Sequence, residues 1–214
     1  MAEIERFDLS QHVSSLFSTL VVCYDWQDNA VLNQDLETLL LEQEQAKQGV
    51  NRSNAGGWQS AGNLIKSNHP AIHQLKHQIE TLAYNLTDQL IRDDGTQRAF
   101  RLIIDGWGNI NRHGDYNVVH THPNCMWSGC YYVNPGQPDP AIPQNGLLEL
   151  LDPREAANHI QIPNTILDAR QFFPCIPGRM LLWPSWMKHM VHPYQGDGER
   201  ISIAFNINVI EEQP

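Results

Sequence analysis

The sequence predicts a mainly β protein, a sandwich or jelly roll, with two helices in its N-terminal portion that brace one sheet. Three observations carry this. From Ala99 onward the chain is a series of short β-branched and aromatic runs, each closed by turn-forming residues. One of them, Arg200–Val209, alternates without a break. Ile201, Ile203, Phe205, Ile207 and Val209 take one face, and Arg200, Ser202, Ala204, Asn206 and Asn208 take the other. Before that change of character, apolar residues recur at helical spacing. Residues 1–97 are therefore read as a helical, bracing portion and 98–214 as the jelly-roll core of one domain. A chain of 214 residues is long enough for a sizeable single core.

Taken in order, Leu16–Trp26 contains Leu20-Val21-Val22 and reads as a first strand. Asn33 is placed to cap a helix whose apolar face is Leu36, Leu39 and Leu40, with Gly49 as its stop. Asn51–Gly62 is a Gly/Ser/Asn loop holding Trp58. Pro70 suits the first turn of a second helix, because its missing N–H has no helical partner there anyway. Ile72, Leu75, Ile79, Leu82, Leu86 and Leu90 form one stripe on that helix, which Asp93-Asp94-Gly95 ends. Strands are expected at Phe100–Ile104, Tyr116–His122, Gly129–Val133, Leu147–Leu151 and Arg179–Trp183. The connection with Pro135, Pro138, Pro140 and Pro143, and the irregular stretch Asp152–Gln171, are candidates to cover the mouth of the roll. Met126, Met180, Met187 and Met190 read as core filler.

Net charge is −10, from 14 Lys+Arg against 24 Asp+Glu, with no basic run. That disfavours nucleic acid and anionic lipid as partners, since both need clustered positive charge. No apolar stretch reaches the length of a membrane span, and the first residues lack a signal-type apolar run. The expectation is a cytoplasmic chain whose scattered cysteines, Cys23, Cys125, Cys130 and Cys175, stay reduced, with Cys130 facing a core. One exposed sheet face leaves room for a homo-oligomer.

The chemistry concentrates in Val118-Val119-His120-Thr121-His122. In an extended chain His120 and His122 point the same way, so two neutral imidazoles can reach one metal ion. His189 offers a third, and Arg200 follows it by 11 positions. Each histidine taken alone is as compatible with an ordinary polar residue near a strand end. Asp115, in His113-Gly-Asp115, is a rival carboxylate ligand, and His192, 8 positions before Arg200, a rival for His189. Arg200 and Ser202 share the polar face of the last strand, where a guanidinium fork and a hydroxyl suit a carboxylate. A surface pair of Arg200 with Glu199 is the plainer alternative. Tyr131 is a candidate to bond the same carboxylate. Trp107, Trp183 and Trp186 read as packing residues, and Trp127 as one able to line an entrance.

Four motifs together resemble a bacterial family of oxygenases that depend on Fe(II) and 2-oxoglutarate. They are His120-Thr-His122-Pro123, Ser128-Gly129-Cys130-Tyr131-Tyr132, Gly178–Val191 with Pro184-Ser185-Trp186, and Arg200-Ile-Ser202-Ile-Ala-Phe205-Asn206. Gly56-Gly57-Trp58-Gln59-Ser60 adds to the likeness. The resemblance implies a double-stranded β-helix, a cupin-like jelly roll with iron in its mouth. It implies His120, His122 and His189 as the catalytic metal ligands, and Arg200 with Ser202, and Tyr131 as a further candidate, as the hold on 2-oxoglutarate. It also implies O2 and an unidentified organic compound as reactants, hydroxylation being driven by decarboxylation of 2-oxoglutarate to succinate. One position departs from the superfamily: His122 stands where a carboxylate is usual, leaving the site one negative charge short. A three-His, cupin-like dioxygenase without 2-oxoglutarate, and a jelly-roll binding or sensor module, are the alternatives.

Overall fold

The computed structural model describes residues 8, 10–14, 16–91, 99–159, 162, 165 and 168–212. After β1 (Val22–Asp25) come α1 (Ala30–Ala46), two short strands β2 (Asn54–Ala55) and β3 (Trp58–Gln59), and α2 (Pro70–Ile91). Then follow β4 (Ala99–Asn111), β5 (Tyr116–His120), β6 (Trp127–Asn134), β7 (Gln137–Pro138), β8 (Leu148–Leu151) and β9 (Arg170–Phe173). The chain continues through β10 (Arg179–Pro184), β11 (His189–Val191), β12 (Gly196–Asp197) and β13 (Arg200–Glu212). A six-stranded sheet runs β1-β10-β6-β13-β4-β3, a five-stranded sheet runs β2-β5-β11-β8-β9, and β12 pairs with β7. All of the strand pairs are antiparallel.

The alternation in β13 divides the interior. Its Ile201, Ile203, Phe205 and Ile207 join Leu36 and Leu40 of α1 and Ile72, Leu75 and Ile79 of α2 in one buried cluster. The apolar stripe of α2 thus packs on the six-stranded sheet, as its spacing predicts, although Leu90 near its end is 41% exposed. A second cluster, with Cys130, Tyr132, Leu148, Leu150, Leu181, Trp183 and Met187, fills the space between strands of the two sheets. Cys130 is therefore a core residue, and desolvation pushes its thiol up to about 12. Met180 and Met187 are buried filler, whereas Met126 is 39% exposed.

Several boundaries differ from expectation. Asn33 lies inside α1 rather than capping it; Asn29 is the N-cap and Lys47 the C-cap. The first strand is confined to the end of Leu16–Trp26, and Phe17, at φ 58, is 91% exposed. β4 continues well past Ile104 because Gly106 and Gly108 sit within it. A Cβ at Gly108 would lie 2.3 Å from a Leu40 methyl, so the absent side chain lets α1 approach the sheet. The stretch 152–171 ends in β9, and β11 was not expected at all. The helix stop at Asp93-Asp94-Gly95 and the boundary at 97 lie outside the described residues. Among the described residues no helix is long and apolar enough to cross a membrane.

Gly129 tests the packing between the sheet's strands. A Cβ there would sit 2.4 Å from the Phe205 ring and 2.6 Å from the Leu181 carbonyl oxygen. Backbone cannot yield as a flexible side chain can. Gly129→Ala should therefore lower stability by ~1–3 kcal/mol, the usual cost of overpacking. The readout is a lower urea midpoint at constant slope; an unchanged midpoint would refute the tight fit.

Candidate active site

His120 is the last residue of β5 and His189 the first of β11, and the antiparallel register sets them directly opposite one another. β5 ends two residues earlier than expected, so His122 is not on the strand. Its backbone N–H instead donates to the Ser185 carbonyl at 3.0 Å, which folds the chain so that its ring still joins the pair. Ligand atoms of His120, His122 and His189 all lie within 4.8 Å of one another. The ring centroids are 4.9, 4.2 and 5.1 Å apart for the pairs 120–122, 120–189 and 122–189.

The tautomers follow from the partners. His120 Nδ1 lies 2.7 Å from the Val118 carbonyl, and His189 Nδ1 lies 2.9 Å from the Met187 carbonyl. A carbonyl oxygen only accepts, so each Nδ1 carries the proton and each Nε2 keeps its lone pair for a metal. Burial lowers the pKa of His120, and holds His122 at about 4 and His189 at about 3. The neighbouring His120 pushes the latter two further down. All three rings are therefore neutral near pH 7, the form that ligates.

Deeper in the roll lies the polar face of β13. Register places Ser202 between Asn109 of β4 and Tyr132 of β6, and Ala204 between Trp107 and Cys130. Arg200, opposite Asn111, is 2% exposed. Its Nε donates to the Gly146 carbonyl at 2.9 Å, and its guanidinium lies 5.5 Å from the centroid of the Tyr132 ring. Among the described residues Arg200 has no ion pair; Glu199 is instead turned to Arg112, at 3.4 Å. The Tyr132 hydroxyl, the Trp183 indole N–H and the Oδ1 atoms of Asn109 and Asn111 are buried without hydrogen-bond partners. Such unsatisfied groups around a buried, unpaired cation are costly unless a polar ligand meets them. The guanidinium, the Tyr132 O–H and the Trp183 N–H are donors of the kind a carboxylate takes, whereas the two Asn Oδ1 atoms only accept.

The structure brings together His120, His122 and His189, with Ser202 lining the same chamber, while Arg200 is buried against Gly146 and Tyr132 on the strand that carries Ser202; the other candidates lie elsewhere. Tyr131 points to the opposite face, where its hydroxyl donates to Asn33 Oδ1 at 2.7 Å beneath α1. Tyr132, one residue on, takes the inner position. The Asp115 carboxylate accepts from the Arg112 N–H at 2.7 Å and is not part of the histidine group. His192 Nε2 is 2.6 Å from the buried Glu149 carboxylate, which Arg170 also grips. Trp127 is 3% exposed and donates to Thr87, so it lines no entrance. Trp107 does: its ring centroid is 5.5 Å from that of His122, and it borders a cavity of about 690 Å³. Residues 50–62 and 118–123 form most of that cavity's wall, a part the sequence reading gave to the proline-rich loop and 152–171. Ser53, Trp107, His120 and His122 border both this outer cavity and the inner chamber lined by Ser202 and His189. A metal held by the three rings would sit at the junction.

Residues 105–206 match the family model described as "Putative 2OG-Fe(II) oxygenase". No curated protein matches the chain. Among solved structures, a prolyl-4-hydroxylase from Pseudomonas putida is 14% identical, with 88% of this chain and 91% of that one covered at a TM-score of 0.61. The non-heme α-ketoglutarate-dependent epimerase SnoN of nogalamycin biosynthesis is 12% identical, covering 87% and 76% at 0.62. HygX from Streptomyces hygroscopicus, solved with nickel and 2-oxoglutarate bound, is 13% identical, covering 89% and 83% at 0.57. These likenesses establish a shared fold, the double-stranded β-helix. The family match is confined to the segment 105–206, which bears all four motifs.

Proposed function

We propose that His120, His122 and His189 hold Fe(II) and that Arg200, with Ser202 and Tyr132, grips the distal carboxylate of 2-oxoglutarate. The protein then couples decarboxylation of 2-oxoglutarate to succinate with hydroxylation of a C–H bond in an organic substrate. The observation that carries this is the pairing of three converging neutral imidazoles with a buried arginine that has no carboxylate of its own. Bound iron supplies the redox chemistry with O2. The chain's own residues do the rest: Nε2 lone pairs fix the metal, the guanidinium fork orients the co-substrate, and the packed inner face excludes water.

His122 at the usual carboxylate position favours one other reading, a three-imidazole dioxygenase whose Arg200 holds a substrate carboxylate instead. Anaerobic addition of 2-oxoglutarate to the Fe(II)-loaded protein separates the two. A visible charge-transfer band, followed by succinate on admitting O2, is the expected result. Its absence at saturating 2-oxoglutarate would move the assignment to the three-imidazole alternative.

A further inference from the structure

We infer that the outer cavity takes a small organic anion, an apolar body whose carboxylate or phosphate-ester head is held by Arg52. The inference rests on the oxygenase reading only in placing the body's reacting C–H toward His120 and His122. Its volume of about 690 Å³ is that of a small-molecule site. Val50, Val118 and Trp107 supply an apolar and aromatic wall. Part of the polar lining can donate. Arg52 is exposed at the wall, and its guanidinium has no ion pair or hydrogen bond within the described chain. By contrast Arg112, Arg154, Arg170 and Arg179 each grip a carboxylate. Gln59 is 5% exposed and borders the cavity; its Nε2 makes no hydrogen bond and can donate, while its buried Oε1, also without a partner, only accepts. Ser53 Oγ accepts from Asn117 Nδ2 at 3.4 Å, which leaves its O–H to donate.

Among the described residues no aspartate or glutamate lines this cavity. In a chain of net charge −10, anions are repelled at long range, so an uncompensated cation beside a pocket free of acids is a local selection for an anion. Two arginines without carboxylate partners thus flank the histidines. Arg200 is fully buried, on the strand whose Ser202 lines the inner chamber, and Arg52 stands at the wall of the outer cavity.

The test is equilibrium binding to the full chain by calorimetry, with octanoate, phenylacetate and octyl phosphate against octanamide and phenylacetamide. Measurements are made anaerobically with Fe(II) and 2-oxoglutarate, and again with neither. The acids should bind ~2–5-fold more tightly than the amides, the scale of an ion pair to an exposed arginine. Octanoate against octyl phosphate tells which head group is preferred. Arg52→Gln should abolish the difference, and Arg52→Glu should turn the preference toward octylamine. Equal affinity for acids and amides, or a preference that survives Arg52→Gln, overturns the inference. The measurement without metal or 2-oxoglutarate reads Arg52 alone, so its outcome is separate from that of the iron and co-substrate assignment.

Discussion

Fe(II) affinity should fall at least ~10-fold in His189→Ala, since losing a ligand costs no less than losing a group that merely orients one. His189 is 4% exposed, and its Nδ1–H bond to Met187 fixes the ring with Nε2 toward His120 and His122. His120→Ala should behave alike, as the two face each other across β5 and β11. His192→Ala should retain iron, because that ring is committed to Glu149, and so should Asp115→Ala, whose carboxylate serves the Arg112 N–H. His122→Asp should also retain it, creating the two-His, one-carboxylate arrangement common in non-haem iron enzymes. Metal content after dialysis against a weak chelator, with circular dichroism to verify folding, is the measurement. Full metal occupancy in His120→Ala and His189→Ala would refute the assignment.

Arg200→Ala should weaken 2-oxoglutarate binding by roughly 30-fold or more. Removing one partner of a buried, charge-assisted pair costs ~2–5 kcal/mol, and ~1.4 kcal/mol is a factor of ten. Burial at 2% exposure and the absence of an internal carboxylate place this pair at the stronger end of such effects. Iron content should stay near that of the wild type, since no arginine atom ligates. Arg200→Lys should recover only part of the affinity, because an ammonium lacks the planar fork that Arg200 offers. Tyr132→Phe should give a smaller loss, removing one donor while keeping the ring under the guanidinium. Titration of the anaerobic Fe(II)-loaded proteins reads all three. Equal affinity in wild type and Arg200→Ala would make Arg200 a structural residue.

His120, His189 and Arg200 were legible in the sequence because their residue types, order and spacing together suit one kind of chemistry. The strict alternation of β13 gave Arg200 and Ser202 their common face and Ile201–Ile207 their core. Tyr131 and Tyr132 are adjacent, and which of them faces inward depends on register, which the sequence does not carry. Tyr131 pairs with Ile203 on the helix side, Tyr132 with Ser202 on the inner side. His122 was named from the His-x-His pattern on the expectation of a strand; it stands instead just past β5, turned by a bond to Ser185 that no local pattern announces. β11 has only three residues, too few for a period to show, and β2 and β3 have two each. The outer wall was missed for the same reason: its loop is held by short pairings to β4 and β5, which are made far away in sequence.

In the six-stranded sheet β13 is a seam. β6, β10 and β1 lie on one side of it, β4 and β3 on the other, and the sheet order joins the two halves nowhere else. The seam closes from Arg200↔Asn111 to Glu212↔Ala99, pairings that enclose most of the β portion of the chain. Loop closure over such distances is slow, since its entropy cost comes before the contacts that reward it. Until β13 is in place, β4 and β6 share no hydrogen bonds within this sheet. The strand that closes them is also the one that brings Arg200 and Ser202. If Arg200 and Ser202 hold 2-oxoglutarate as proposed, closing this long-range pairing also completes the co-substrate site, and a chain that binds 2-oxoglutarate has its largest sheet closed.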